Sequence, residues 1–254
     1  MSVIINSVDR TLDILIYLYN EGVETSITKI SEDLKIYKST VYRTLATLQA
    51  KDFVTKNPET EKYSLGTKLF IIGTSVGERL GIQKFIRPFA KQLHDEFNET
   101  VNVSILERNP MDIYRSVIIY KEENKQILRL NSEVGSRSDC HCAAVGKCLL
   151  AFCDNINLSI YEEHTMIPYT PNTIITLEHL KEELEKVREQ GYAVDDEERE
   201  LGLTCLGAPI IKNKKYAVAA ISLSGPTFRM KDETFDYKIQ RLCETAKEIS
   251  KNLD

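Results

Sequence analysis

Apolar residues recur at helical spacing from the start of the chain. Val8, Leu12, Leu15, Ile16 and Tyr19 predict a first helix, closed by Asn20-Glu-Gly22. Ile27, Ile30 and Leu34 predict a second, capped by Ser26 or Thr28. The link Lys35-Ile-Tyr37 leads into a third helix, Lys38 to Gln49, where Val41, Leu45 and Leu48 form one apolar stripe. Two short helices joined this tightly predict a helix-turn-helix. Phe53-Val-Thr55 and Lys62-Tyr-Ser-Leu65 flank Asn57-Pro-Glu-Thr60 and predict a hairpin. Helix, helix-turn-helix and hairpin together predict a winged helix over residues 1–66.

The pattern then changes twice. Residues 67–81 are apolar and small, with Gly73, Gly77 and Gly81 four apart, and predict a linker helix with one bare face suited to close helix contact or simply to flexibility. Ile82 to Phe97 predicts a long helix interrupted by Pro88, the proline opening the helix proper. Beyond Asn98, alternating Val101, Val103 and Ile105, the run Ile113 to Tyr120, and Ile127, Leu128 and Leu130 predict a strand meander. Helices follow at Ala143 to Phe152 and at Leu177 to Gln190, the latter closed by Gly191. Strands Leu203 to Ile211 and Tyr216 to Ser224 precede a final helix, about Asp232 to Leu253. The fold class is therefore α+β with two domains, the second (82–254) built on an antiparallel sheet.

Composition narrows this picture. The 254 residues are 42% hydrophobic and 28% charged, enough to bury a core. A net charge of −5 argues against non-specific coating of nucleic acid, and the first 66 residues hold eight basic and nine acidic side chains. Any DNA-binding surface is thus a patch. No stretch has the roughly 18–20 apolar residues of a membrane span, and MSVIINSVDR lacks the pattern of a signal peptide. Six cysteines in such a chain are expected as thiols or ligands and not disulfides, and the expected compartment is the cytoplasm.

The third helix carries the first candidate chemistry. Ser39, Arg43, Ala46 and Ala50 fall opposite its apolar stripe, flanked by Thr40, Tyr42 and Thr47. Lys35, Lys38, Arg43 and Lys51 bring four positive charges, and no acid lies between them. Hydroxyls and a guanidinium donate to phosphate oxygens and base edges. Lys38, Ser39, Thr40, Tyr42, Arg43 and Thr47 are the candidate DNA contacts. An ordinary solvated helix face, or a winged helix that docks protein, is the alternative.

Several segments resemble the IclR family of bacterial transcriptional regulators. They are Ser7-Val-Asp-Arg-Thr-Leu-Asp-Ile-Leu15, Lys38-Ser-Thr-Val-Tyr-Arg43 and Tyr63-Ser-Leu-Gly66 in the first part of the chain. In the second part they are Gly135 to Ala151, Gly191 to Glu198, Gly202 to Ile210 and Ala219 to Pro226. The chain departs from the family at Lys35-Ile-Tyr37, where Gly-Leu-Pro is usual, and at Asp139-Cys140, where Pro-Leu is usual. A lysine in a left-handed turn costs on the order of 1 kcal/mol relative to glycine, unless the turn takes another path.

The resemblance implies a GAF-like effector domain whose pocket is lined by Ala144, Val145, Asp195, Cys205, Ser222 and Ser224. It also implies operator DNA as partner and pairing of subunits into a dimer or a dimer of dimers. The residues themselves fit such a pocket. Amides opening the helix from His141 to Lys147 favour an anion, and Ser222 and Ser224 share one strand face. The implied ligand is a small organic acid in a mostly apolar cavity, and the implied function is a ligand-responsive repressor without a catalytic role or cofactor. Two alternatives stand beside it. His141, Cys142, Asp195 and Cys205 are candidate zinc ligands. A thiol or zinc enzyme would use Cys205 or Cys142 as nucleophile or ligand, with His141 as base. Redox sensing by exposed thiols is a further reading of the cysteines.

Overall fold

The computed structural model describes residues 4–80, 82–108, 112–123 and 132–253, excluding the side chains of 77–84. The chain divides into two compact units, Met1–Leu80 and Gly81–Asp254.

The first unit runs α1 (Asn6–Glu21), α2 (Ile27–Asp33), α3 (Lys38–Gln49), β1 (Val54–Lys56), β2 (Tyr63–Leu65) and α4 (Thr67–Leu80). Gly22 ends α1 at φ 63°. Ser26 caps α2, its hydroxyl accepting from the Lys29 amide at 3.3 Å. The core joins Ile14, Leu18, Ile30, Val41, Leu45, Leu48, Val54 and Tyr63. The α3 stripe is buried as its spacing predicts, but α1 is not turned as its pattern suggests. Ile14 and Leu18 face inward, while Val8, Leu12, Ile16 and Tyr19 are each more than half exposed. The helix is apolar on two sides, and packing against the rest of the core, Tyr63 of β2 included, decides which side is buried.

The wing is more than a hairpin. Thr25 and Tyr63 exchange backbone hydrogen bonds of 2.9 Å, adding an isolated antiparallel bridge to the hairpin. Glu24 accepts from Asn57 Nδ2 at 2.8 Å and from the Thr60 hydroxyl at 2.9 Å, tying the wing turn to the helices. The turn before α3 does not take another path. Lys35 occupies the left-handed position at φ 54°, with Ile36 held by backbone and hydroxyl bonds to Ser31. Along α4, Phe70, Ile71 and Val76 are exposed, and a Cβ built on Gly73 would meet nothing within 4 Å. Within the single chain the bare face meets nothing at Gly73, and Gly81 and the surroundings of Gly77 lie outside what is described.

In the second unit α5 (Ile82–Phe97) leads to β3 (Thr100–Glu107), β4 (Arg115–Glu122) and β5 (Arg137–Asp139). A 3-10 turn (Cys140–Cys142), α6 (Ala144–Phe152), α7 (Ile160–Glu163) and α8 (Leu177–Gln190) follow. Then come β6 (Ala193–Asp196), β7 (Leu203–Lys212), β8 (Tyr216–Pro226), α9 (Thr227–Met230) and α10 (Phe235–Lys251). The six strands lie in the order β5-β4-β3-β8-β7-β6, each pair antiparallel. The predicted strand residues Ile127, Leu128 and Leu130 fall outside the described residues. Pro88 does not open α5 but sits inside it. Burial of Ile86, Ala90 and Leu93 along one face holds the helix on both sides of the proline.

The sheet has two unlike faces. Val101, Val103, Leu206, Ala208, Ile221 and Leu223 pack against Ile86, Ala90 and Leu93 of α5 and Leu242, Ala246 and Ile249 of α10. The alternate positions Thr100, Asn102, Ser104, Ser222 and Ser224 are polar yet buried. Because side chains alternate along a strand, a pattern of polar residues beside apolar ones here places the polar set together on the other face. Part of that face is sealed by α6 and α8 through Ala144, Cys148, Leu149 and Val187. Among the described residues no helix is long and apolar enough to cross a membrane.

Candidate functional site: a helix face and a hydroxyl-lined cavity

On α3 the six predicted contacts face outward. Lys38, Ser39, Tyr42, Arg43 and Thr47 are exposed and Thr40 is half-buried. Tyr42 is 58% exposed, and Tyr37, just before the helix, is 84% exposed. Tyr37 supplies no side-chain cap, so the first amides of α3 have no side-chain acceptor from that position. The helix thus presents hydroxyls, a guanidinium and its positive dipole end on one surface, the inventory that phosphate and base edges accept from.

In the second unit all six residues implied for the pocket line one cavity of about 320 Å³. Its floor is the polar sheet face, with Asn102, Ser104, Ser222, Ser224 and Cys205. Its roof is the segment from Ala143 to Val145, where α6 begins. Two glycines let that roof sit low. A Cβ on Gly207 would lie 2.7 Å from the carbonyl carbon of Ala144, and one on Gly146 would collide with the backbone of Cys140. Asp195 stands in β6 opposite Cys205, and its Oδ1 accepts the Glu198 amide at 2.9 Å and the Arg199 amide at 3.3 Å. Burial pushes the Asp195 carboxyl up to about 7, with the negative charge of Glu198 adding to it.

Several lining residues were not expected. Seven serines line the cavity, five more than the predicted pair, because β3, β4, β5 and the approach to β5 each contribute. The buried atoms Asn102 Oδ1, Ser104 Oγ and Arg199 Nη1 belong to lining residues and have no hydrogen-bond partner. Arg199 is the important omission. Its guanidinium lies 3.7 Å from the centroid of the Tyr169 ring. The Tyr169 hydroxyl donates to Asp139 at 2.7 Å, and Asp139 accepts from Arg115 Nε at 3.1 Å. The Asp139-Cys140 departure thus has a structural role: the carboxylate anchors the ring on which the arginine rests. No local motif marks Arg199; the pairing with Tyr169 spans a loop and a helix.

The zinc candidates do not come together. Asp195 and Cys205 line the cavity, whereas His141 and Cys142 do not. The His141 ring packs near Tyr161 and Tyr169, with Nε2 3.4 Å from the Ile167 carbonyl, and Cys142 Sγ points to the Asp139 carbonyl at 3.6 Å. Among the described residues no three His, Cys, Asp or Glu side chains are arranged to hold a metal ion. The enzyme alternative fails on the same geometry and on charge. Burial pushes the Cys142 thiol up to about 12 and the Cys205 thiol well above its usual range, the reverse of an activated thiolate. Burial also lowers the His141 pKa and keeps the ring neutral.

Below α6 lies one further buried charge. Lys147, fully buried, donates to Glu183 at 3.0 Å, to the Val194 carbonyl at 2.5 Å and to Glu198 at 2.6 Å. Burial alone would lower the lysine pKa, but the two carboxylates outweigh it and the pKa is raised. The cluster ties α6, α8 and the strand that carries Asp195.

Comparison with known proteins places this arrangement. Residues 7–58 match the IclR helix-turn-helix domain, and residues 74–251 match the bacterial transcriptional regulator IclR C-terminal domain. The HTH-type transcriptional repressor AllR of Salmonella typhi is 34% identical over 245 residues, covering 96% of this chain and 88% of that protein. The crystal structure of the Thermotoga maritima IclR is 31% identical with a TM-score of 0.77, covering 98% of both chains. An IclR homologue from Microbacterium hydrocarbonoxydans complexed with 4-hydroxybenzoate shares the fold at 18% identity and a TM-score of 0.80, covering 96% of this chain and 98% of that one. With both domains matched in order and a repressor aligned over nearly its whole length, this chain belongs to the IclR family of bacterial transcriptional regulators and is a DNA-binding regulator, not an enzyme.

Proposed function

We propose that the protein is a repressor that grips operator DNA through α3 and the wing, and whose grip is set by a small organic acid bound in the hydroxyl-lined cavity. The buried, unpartnered Arg199 Nη1 carries the ligand reading. A buried polar group without a partner costs about 1–3 kcal/mol, and more when charged, so a carboxylate reaching it recovers that cost on binding. The α6 amides at Ala144 and Val145 and the hydroxyls of Ser222 and Ser224 receive the same ligand, and Asp195 and Cys205 border it. At about 320 Å³ the cavity is at the small end of ligand sites. On the DNA side, Lys38, Ser39, Thr40, Tyr42, Arg43 and Thr47 make the contacts. The ligand alters DNA affinity by binding two arrangements of the protein unequally.

The same reading makes the protein a homodimer, or a pair of dimers. The exposed apolar residues Val8, Leu12, Ile16 and Tyr19 of α1 and Phe70, Ile71 and Val76 of α4 are the surface this pairing covers. Paired heads also read two half-sites. In this reading residues 1–66 form the DNA-binding head and 82–254 the effector domain, with 67–81 linking them.

A thermal-shift screen of small mono- and dicarboxylic acids on the full chain tests the ligand. A carboxylate is expected to raise the melting temperature, and Arg199→Met to reduce its affinity by about 1.5–3 kcal/mol, the worth of a hydrogen bond to a charged group. A ligand of full affinity in Arg199→Met, or a screen answered only by cations or neutral sugars, rejects the organic acid.

A further inference from the structure

A second cavity, of about 410 Å³, opens in the same unit and shares no lining residue with the first. It lies where the C-terminal ends of α8 and α10 meet the β7–β8 hairpin and the end of α6. Phe152, Ile211 and Ala246 give it an apolar floor. Arg188, Lys214, Lys247 and Lys251 stand around it, and no acidic side chain lines it. Among the described residues none of the three lysines makes an ion pair, so none has its charge offset by a neighbouring carboxylate at contact distance.

Two of the four cations have a local explanation. Arg188 and Lys251 lie in the last turns of α8 and α10, where positive charge offsets the helix dipole. Arg188 also donates to the Ala151 carbonyl at 3.0 Å. Lys214 and Lys247 are not so explained. Lys214 sits on the tight hairpin turn at φ 54°, and Lys247 lies a full turn before the end of α10. An apolar hollow ringed by charge of one sign is complementary to a molecule that is apolar at one end and anionic at the other.

We propose that this hollow is a second small-molecule site, for an amphiphilic anion: a ring or short-chain body carrying one carboxylate, sulfonate or phosphate. The body lies on Phe152, Ile211 and Ala246, and the anionic group is held between Lys214 and Lys247. The site is separate from the hydroxyl-lined cavity and does not depend on what that cavity binds.

The probe is 2-naphthoate, titrated calorimetrically into the full chain, with 2-naphthalenemethanol as its uncharged counterpart. Saturable binding of naphthoate is expected, with the alcohol weaker by about tenfold, since two exposed charge contacts each contribute up to about 1 kcal/mol. Raising salt to about 0.5 M is expected to weaken naphthoate several-fold, because exposed charges are screened. Lys214→Glu with Lys247→Glu should lower its affinity by about tenfold or more with unchanged thermal unfolding. Ser222→Ala with Ser224→Ala should leave it unchanged. The proposal is overturned if the serine substitutions abolish naphthoate binding and the lysine substitutions do not. Equal binding of acid and alcohol, or no saturable binding, also overturns it. So does capture of polyglutamate in place of naphthoate, which would assign the surface to an acidic protein.

Discussion

The outer face of α3 and the hydroxyl-lined cavity are the two polar surfaces proposed for recognition, and they are built on opposite plans. The helix face comes from one run of a dozen residues, and each contact is set by helical spacing. The cavity draws on strands β3, β4, β5, β6, β7 and β8, the start of α6 and the loop after β6. The face is exposed, so water satisfies its polar groups when no partner is bound. The cavity gathers polar atoms, among them Asn102 Oδ1, Ser104 Oγ and Arg199 Nη1, that find no hydrogen-bond partner within the protein, which is what the proposed ligand would supply. One surface is therefore expected to tolerate substitution with loss of function alone. The other trades function against folding.

The largest test of that contrast is Lys147→Met, in the buried cluster that holds α6 and the strand carrying Asp195 beside the cavity. It leaves Glu198 and Glu183 buried without their cation, and removing one partner of a buried pair costs about 3–5 kcal/mol. Urea unfolding of the full chain reads it. A loss below about 1 kcal/mol would mean the cluster is more hydrated than its burial implies. On the other surface, Arg43→Ala is expected to weaken operator binding by about 1–3 kcal/mol in a mobility-shift titration, with unchanged melting and ligand response. Unchanged operator affinity would remove α3 as the reading element.

Protonation sharpens the contrast next. Asp195 in the folded chain titrates at about 7, above the usual carboxylate range, so the folded state holds a proton that the unfolded chain releases. Its contribution to stability is full at pH below the usual carboxylate value, falls as pH rises toward about 7, and is flat beyond. Glu198, raised in the same direction by burial against the opposing charge of Lys147, steepens the fall. An anionic ligand should bind about tenfold more weakly at about pH 8 than at about pH 6, and Asp195→Asn should flatten that profile. Operator affinity of the ligand-free protein should show no step in this range from Asp195. The smallest effect concerns the turn before α3. Lys35→Gly should stabilise the protein by up to about 1 kcal/mol, because glycine adopts the left-handed conformation without strain. Destabilisation would show that the lysine side chain makes contacts worth more than its strain.

The same contrast explains what could be read from the residues. The α3 stripe of Val41, Leu45 and Leu48, the Ser26 cap and the Gly22 and Gly191 endings are local, and spacing alone predicts them. The resemblance supplied Ala144, Val145, Asp195, Cys205, Ser222 and Ser224, which do line one cavity. Spacing could not have joined them, since they come from four separate elements. Arg199 escaped because its orientation depends on Tyr169 and Asp139, residues 30 and 60 positions earlier in the chain. Lys147 escaped for a related reason. A lysine is ordinarily exposed, and its burial is decided by carboxylates on α8 and beyond β6. α1 shows the converse, a stripe that is legible but faces outward because its other side carries Ile14 and Leu18.

The bare backbone at Gly207 has a consequence for ligand size. With the main chain of β7 seated directly against the first turn of α6, the gap between ceiling and floor is a built-in gauge. A bulkier guest cannot be admitted by sliding the helix along its strand. Room has to be carved laterally, by shortening side chains around the mouth, so substitution can change the breadth of the space but not its headroom.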